Sequence, residues 1–277
     1  MAGTLITVAP TGAEHLKADL PQLPTTLEEL VAEAKACEAA GASLIHVHLR
    51  DAEHRPTLDL GRLRETVAAL REQTSLVVQL STGGSVHDPL DARLAVLDAA
   101  PDSCSLTCGT VNFGDDVFLN PWPFMVELYE KARDVQVVPE FELFDLGHVA
   151  AMRRLLDTCG LPYGGRVHCD FVMGVPGGMP GTPEALVAGV QALPPEVTSW
   201  SATGIGRTHL PVLAAALSLG GHLRVGMEDN VVYARGRQVR SNAELVERAA
   251  RIATELQRPP LSTSEARDLL GLPAPGS

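Results

Sequence analysis

Residues 31–51 read VAEAKACEAAGASLIHVHLRD, and within them a segment of helical period gives way to an apolar run inside three residues. The helix spans 26–40, opens at Thr25 or Thr26 with Glu28 and Glu29 in its first turn, and stops at Gly41, where a left-handed cap is easy. A strand over 44–50 follows at once. So tight a joint between helix and strand suits a closed barrel of βα units.

Working outward, the same alternation fills the chain. Runs rich in Val, Ile and Leu at 4–9, 44–50, 76–82, 103–108, 135–142, 166–173, 197–203 and 222–228 read as strands. Helical segments at 26–40, 59–72, 89–98, 122–132, 145–158, 182–192, 209–219 and 241–256 fit between and after them. Eight of each predicts a single-domain α/β protein, a (β/α)8 TIM barrel. A doubly wound open sheet should carry GxGxxG near its first strand, and the chain has only APTGAE there. The barrel occupies about 1–260 of the 277 residues. An extra C-terminal helix within 261–272, read from TSEARDLLG, is left to pack outside it or across a subunit boundary, and 273–277, PAPGS, is a tail.

The composition, 45% hydrophobic and 20% charged, is that of a globular protein, and the formal net charge of −12 argues against a nucleic-acid surface while leaving room for a local basic pocket. The start MAGTLITVAPTG lacks a basic region followed by a long apolar one, and no apolar run reaches membrane-spanning length, so a cytoplasmic enzyme is expected. Five cysteines without a CxxC pair, Cys37, Cys104, Cys108, Cys159 and Cys169, exclude a disulfide framework and a zinc knuckle and read as reduced core residues.

In such a barrel the chemistry sits at the C-terminal ends of the strands. The polar residues placed there are Glu14; His46, His48, Arg50 and Asp51; Ser81, Thr82, Gly83 and Gly84; Ser105, Thr107 and Asn112; Glu140 and Glu142; Asp170; Gly204, Gly206 and Arg207; and Arg224, Glu228 and Asp229. Side chains two apart on a strand share a face, so His46 and His48 converge as ligands for a divalent ion. Glu228, at the end of strand eight, is the best third ligand, and two histidines with one carboxylate leave coordination open as a catalytic zinc site requires; iron or manganese would accept the same set. STGG at 81–84 is either a turn or an anion site. GVPGG at 174–178 and GIGR at 204–207 are loops first, although phosphate groups commonly sit beyond strands seven and eight of barrels, which favours Arg207 as an anchor. Glu140 and Glu142 repeat the two-residue spacing, and one can serve only as an arginine's partner.

The ordered blocks TVAPTGAE, CEAAGASLIHVHLRD, QLSTGG, LTCGTVNFGDDVFLNP, PEFELFDLGH, DFVMGVPGG, GIGR, GGHLRVGMEDN and SNAELVERAARIA resemble the β-keto acid cleavage enzyme family over nearly the whole chain. The resemblance implies a homotetrameric (β/α)8 enzyme with one zinc ion per subunit on His46, His48 and Glu228. It implies an acyltransferase in which a β-keto acid and acetyl-CoA exchange parts to give acetoacetate and a new acyl-CoA; for 3-keto-5-aminohexanoate, from lysine fermentation, that product is 3-aminobutyryl-CoA. Zinc would stabilise the enolate that attacks the thioester, and released CoA would complete a retro-Claisen cleavage. Ser81 and Thr107 are the oxyanion donors of this reading, Asp229 with Arg224 the proton-handling dyad, and Glu142 an assistant in binding or proton transfer. Ser81, Thr82, Gly83, Gly84, Ser105, Thr107, Asn112 and Arg224 would contact the keto acid, while Gly204, Gly206 and Arg207 would hold the phosphorylated co-substrate. Glu14 matches the position that meets a distal amino group, which implies a cationic β-keto acid. Two departures, Cys108 in LTCGT and His209 in GRTHLP, leave the chemistry intact and bear on substrate detail. A metal-dependent aldolase or acyl-CoA lyase barrel is the nearest alternative. An amidohydrolase is further off, because its HxH lies on strand one.

Overall fold

The computed structural model describes residues 3–274. Eight parallel strands close into a barrel: β1 Ile6–Val8, β2 Leu44–Val47, β3 Val77–Leu80, β4 Ser103–Thr107, β5 Val138–Leu143, β6 Val167–Met173, β7 Val197–Gly204 and β8 His222–Val225. Each strand pairs with its neighbours in chain order, and β8 returns to pair with β1. The helices are α1 Leu27–Ala40, α2 Leu60–Gln73, α3 Leu90–Ala95, α4 Trp122–Asp134, α5 Leu146–Cys159, α6 Pro183–Ala192, α7 His209–Ser218, α8 Asn242–Glu255 and α9 Thr263–Leu270.

Local chemistry sets the boundaries. Thr26 caps α1 in a reciprocal box with Glu29, and Gly41 at φ 112° ends it with its N–H on the carbonyls of Cys37 and Glu38. Side-chain caps from Asp59, Asp145, Thr182 and Ser241 start α2, α5, α6 and α8. The expected helix 89–98 is divided, with α3 passing into a tighter 3-10 turn over Val96–Ala99.

Register explains how apolar strands tolerate a polar lumen. His46 lies beside Gln79, Gln79 beside Ser103, Ser105 beside Glu140, Glu140 beside His168 and Asp170 beside Ser201, all buried. The alternate residues Ile45, Val47, Val78, Leu80, Leu106, Phe141 and Leu143 join the main apolar cluster. Cys37, Cys104, Cys108 and Cys169 are buried and Cys159 is half-buried; none is in a disulfide.

The helix expected at 263–271 is present and packs outside the barrel, at its base, while one strand end differs from the sequence expectation. Ala266, Leu270 and Leu272 form an apolar cluster with Leu5, Leu44, Val77 and Val138 from the N-terminal ends of four barrel segments, so α9 closes the bottom of the barrel. Of the tail 273–277, residues 275–277 lie outside the described residues. The strand expected over 44–50 ends at Val47, because Leu49–Arg50 turns away to pair antiparallel with Pro56–Thr57. Two further hairpins, Val111–Phe113 with Asp116–Phe118 and Val232–Ala234 with Arg237–Gln238, follow β4 and β8. No helix among the described residues is long and apolar enough to cross a membrane.

Candidate active site

The C-terminal mouth opens into a cavity of about 860 Å³ bordered by the second and third of these hairpins and by the loops after β1, β3 and β7. At its floor His46, His48 and Glu228 bring ligand atoms within 4.8 Å of one another. Nε2 of His46 and of His48 stand 3.7 and 3.6 Å from Glu228 Oε1. The ring of His46 is fixed from behind: Nδ1 is 2.6 Å from Gln79 Oε1, and Gln79 Nε2 donates to Ser103 Oγ at 3.1 Å. With the amide so oriented, Nδ1 carries the proton and Nε2 turns its lone pair toward Glu228. Burial, aided by the Arg224 charge, pushes His46 down to about 4, and burial lowers His48, so both rings are neutral ligands at pH 7. Burial acts upward on Glu228, but Arg224 and the two histidines outweigh it and hold the carboxyl at about 2. Its Oε2 is buried without a hydrogen-bond partner among the described residues. Two neutral imidazoles and an ionised carboxylate with ligand atoms this close, one carboxylate oxygen being buried without a partner, suit a divalent cation. Gly12, at φ 61°, keeps this arrangement close, since a Cβ there would lie 2.6 Å from Glu228 Cγ.

Arg224, on β8, ties the floor together. Its Nε and Nη2 donate to Asp229 at 3.2 and 2.9 Å, Nη1 donates to Glu142 at 3.3 Å, and Nη2 also meets Glu228. Thr107 Oγ1 donates to the other Glu142 oxygen at 2.7 Å. Burial pushes Asp229 up to about 7 despite Arg224, and burial raises Glu142 as well.

Residues 4–272 match the beta-keto acid cleavage enzyme family. The chain belongs to that family. It is 39% identical to the 3-keto-5-aminohexanoate cleavage enzyme of Acetoanaerobium sticklandii over 98% of this chain and 99% of that protein. It is 35% identical to the 3-oxoadipate:acetyl-CoA acetyltransferase of Cupriavidus necator over 98% and 95%. Among solved structures, the ternary complex of ObcA with a C4-CoA adduct and oxalate superposes with a TM-score of 0.79 at 21% identity, covering 91% of this chain and 68% of that one, a likeness of fold.

In this member of the β-keto acid cleavage family, Glu14, His48, Ser81, Gly83, Gly84, Glu142, Gly206, Arg207, Arg224, Glu228 and Asp229 line the cavity, with His46 immediately beneath. Thr82, Ser105, Thr107, Asn112 and Gly204 do not line it. Thr82 and Ser105 satisfy each other, the Thr82 hydroxyl donating to the Ser105 carbonyl at 2.8 Å and the Ser105 hydroxyl accepting from the Thr82 N–H at 3.2 Å. Asn112 is exposed on the second hairpin, and Gly204 packs against the Thr208 carbonyl. Arg50 donates to the carbonyls of Gly12 and His15, which clamps the loop bearing Glu14. Asp51 pairs with Arg55 outside the cavity. Sequence reasoning missed Gln79, which no motif marks, and Tyr233, Arg235 and Arg248 of the cavity wall, whose placement depends on the third hairpin.

Proposed function

We propose that the chain is a zinc-dependent acyltransferase that converts a β-keto acid and acetyl-CoA into acetoacetate and a new acyl-CoA, as a cytoplasmic homotetramer. The observation that carries this reading is the convergence of His46, His48 and Glu228 with the Arg224–Asp229 pair at the floor of one cavity. A zinc ion, which His46, His48 and Glu228 would hold, would supply Lewis acidity toward the keto acid.

The chain's own groups account for the remaining steps. An Asp229 oxygen, kept in place by two bonds from Arg224, removes the C2 proton of the keto acid, and C2 then attacks the thioester carbonyl, expelling the CoA thiolate. Ser81 Oγ accepts from the Gly83 N–H at 3.1 Å, which leaves its own O–H to donate to the oxyanion formed at the cavity floor. The thiolate next attacks the original keto carbon; the bond from that carbon to C2 breaks, and C2 takes a proton to leave as acetoacetate. Thr107, whose hydroxyl proton is given to Glu142, acts by holding Glu142 against Arg224. Glu14, exposed in the cavity on the loop clamped by Arg50, binds a cationic side chain such as that of 3-keto-5-aminohexanoate.

Purified zinc-loaded protein, given acetyl-CoA and cationic, neutral and anionic β-keto acids, should form acetoacetate only when the thioester is present. Acetoacetate released without acetyl-CoA would point instead to an aldolase or lyase. His46→Ala should lose metal and turnover together. Glu14→Gln should raise KM for the cationic acid about tenfold or more and leave the neutral one nearly unchanged; equal changes would remove Glu14 from recognition.

A further inference from the structure

Five arginines are buried among the described residues: Arg50, Arg93, Arg224, Arg248 and Arg267. Four have acidic charge facing them. Arg50 donates to backbone carbonyls and feels the Glu14, Glu228 and Asp51 charges, Arg93 binds two carbonyls and Asn120 and feels the Glu142 and Asp88 charges, Arg224 meets three carboxylates, and Arg267 pairs with Asp102. Arg248, on α8, is different. It is 7% exposed and lines the cavity, and Nη1 donates to the Tyr233 carbonyl at 2.7 Å, yet Nε and Nη2 are buried with no hydrogen-bond partner among the described residues. No carboxylate pairs with it among the described residues, and the charges that reach it from Arg237 and Arg251 are of its own sign.

A guanidinium held out of water with two unanswered donor atoms is costly, and an oxyanion with two oxygens side by side is the partner its fork fits. The surroundings favour a phosphoryl group. Tyr233 covers one face of the guanidinium, 4.1 Å from its ring centroid, which fixes the plane of the fork. Gly206, Arg207 and His209, at the positive N-terminal end of α7, border the same cavity. Elsewhere its rim carries Glu14, Asp115 and Asp116, which repel a polyanion. Under the proposed function the keto acid's own carboxylate is placed at the floor, beside Arg224 and the candidate metal site.

We propose that Arg248, braced by Tyr233 and set beside the start of α7, is the phosphoryl-recognition site for the thioester co-substrate. This rests on the reading that acetyl-CoA is that co-substrate. The site accounts for binding of the carrier, separately from the chemistry at the floor.

The test compares acetyl-CoA with S-acetylpantetheine, which lacks every phosphate, in the wild-type enzyme and in R248Q. The preference in kcat/KM for acetyl-CoA should fall roughly 30-fold in R248Q, the loss of a charge-assisted pair, and R248K should keep most of it. Acetyl-dephospho-CoA shows whether the 3′-phosphate or the pyrophosphate is read. Inorganic phosphate should compete with acetyl-CoA and not with S-acetylpantetheine. An unchanged preference in R248Q overturns the proposal, as does a rise in KM for the keto acid alone, which would assign Arg248 to a carboxylate. Calorimetric binding of CoA separates this from failure of the parent reading: equal affinity in wild type and R248Q defeats the site even if turnover stands, and weaker binding by R248Q supports it even if no keto acid is turned over. Should R248Q not fold, R248M gives the same ratio with the stem of the side chain kept.

Discussion

In the proposed metal site the ring of His46 is held in one tautomer, and that depends on a glutamine in register beside it on β3. Gln79 Oε1 sits 2.6 Å from His46 Nδ1, while the amide nitrogen is tied to Ser103. Gln79→Leu keeps the volume and removes the acceptor, so the imidazole is free to turn or to carry its proton on Nε2. The expected outcome is a 10- to 100-fold loss of divalent-ion affinity in a chelator competition, with the thermal midpoint shifted little. Unchanged affinity would mean that Glu228 and His48 alone orient the site. The contrast between His46 and Gln79 also shows what was legible. HxH on a strand is read directly, because the two-residue period fixes which face both rings share. Gln79 in LVVQLST carries no such mark; its role follows from the register that sets it beside His46, and register between distant strands is a tertiary property. The same reason separates Ser81, whose hydroxyl faces the cavity, from Ser105 and Thr82, which have the right chemistry and spend it on each other.

Among elements, the eight βα units were readable from the alternation of their periods, and some joints, such as those at Thr26 and Gly41, carry caps as well. The three hairpins were not, since their strands of two or three residues have no period to detect, and the second and third of them form much of the cavity wall. Helix α9 was visible as a helix but not as a plug, because its partners Leu5, Leu44, Val77 and Val138 come from strand starts scattered over nearly half the sequence. Leu270 is 3% exposed at that contact. Leu270→Ala removes the most buried leucine of α9 from a cluster that includes the strand starts at Leu5, Leu44, Val77 and Val138, which limits how far the gap can be filled by relaxation. A loss of about 2–4 kcal/mol in urea unfolding is expected. A loss below about 0.5 kcal/mol would show that α9 rests on the barrel without closing it.

For the whole molecule, the decisive joint is the seam between β1 and β8, where residues more than two hundred apart must meet before the barrel is closed. Leu223 N–H donates to the Leu5 carbonyl at 3.0 Å, and in return Leu5 N–H donates to His222 Nδ1 at 3.0 Å. A side chain thus substitutes for a backbone acceptor at the first rung of the seam. That geometry needs a neutral imidazole, and burial, with the neighbouring His168 and Arg258 adding to it, pushes His222 down to about 3. The unfolded chain should protonate near the ordinary value of 6.5. Below that pH the unfolded state binds a proton that the folded state refuses, so the contribution is intact above pH 6.5 and erodes toward pH 3. Other buried groups pull the opposite way: Asp229, raised to about 7, is protonated in the folded state first and gains stability as pH falls. The net acid profile therefore does not isolate the seam, but a variant does. His222→Gln retains an acceptor for the Leu5 N–H and cannot titrate. The difference in unfolding free energy between variant and wild type should move by about 2 kcal/mol in the variant's favour between pH 7.5 and pH 5. Parallel urea titrations at the two pH values read it, and a difference that stays constant would show that the proton at the seam is not linked to closure of the ring.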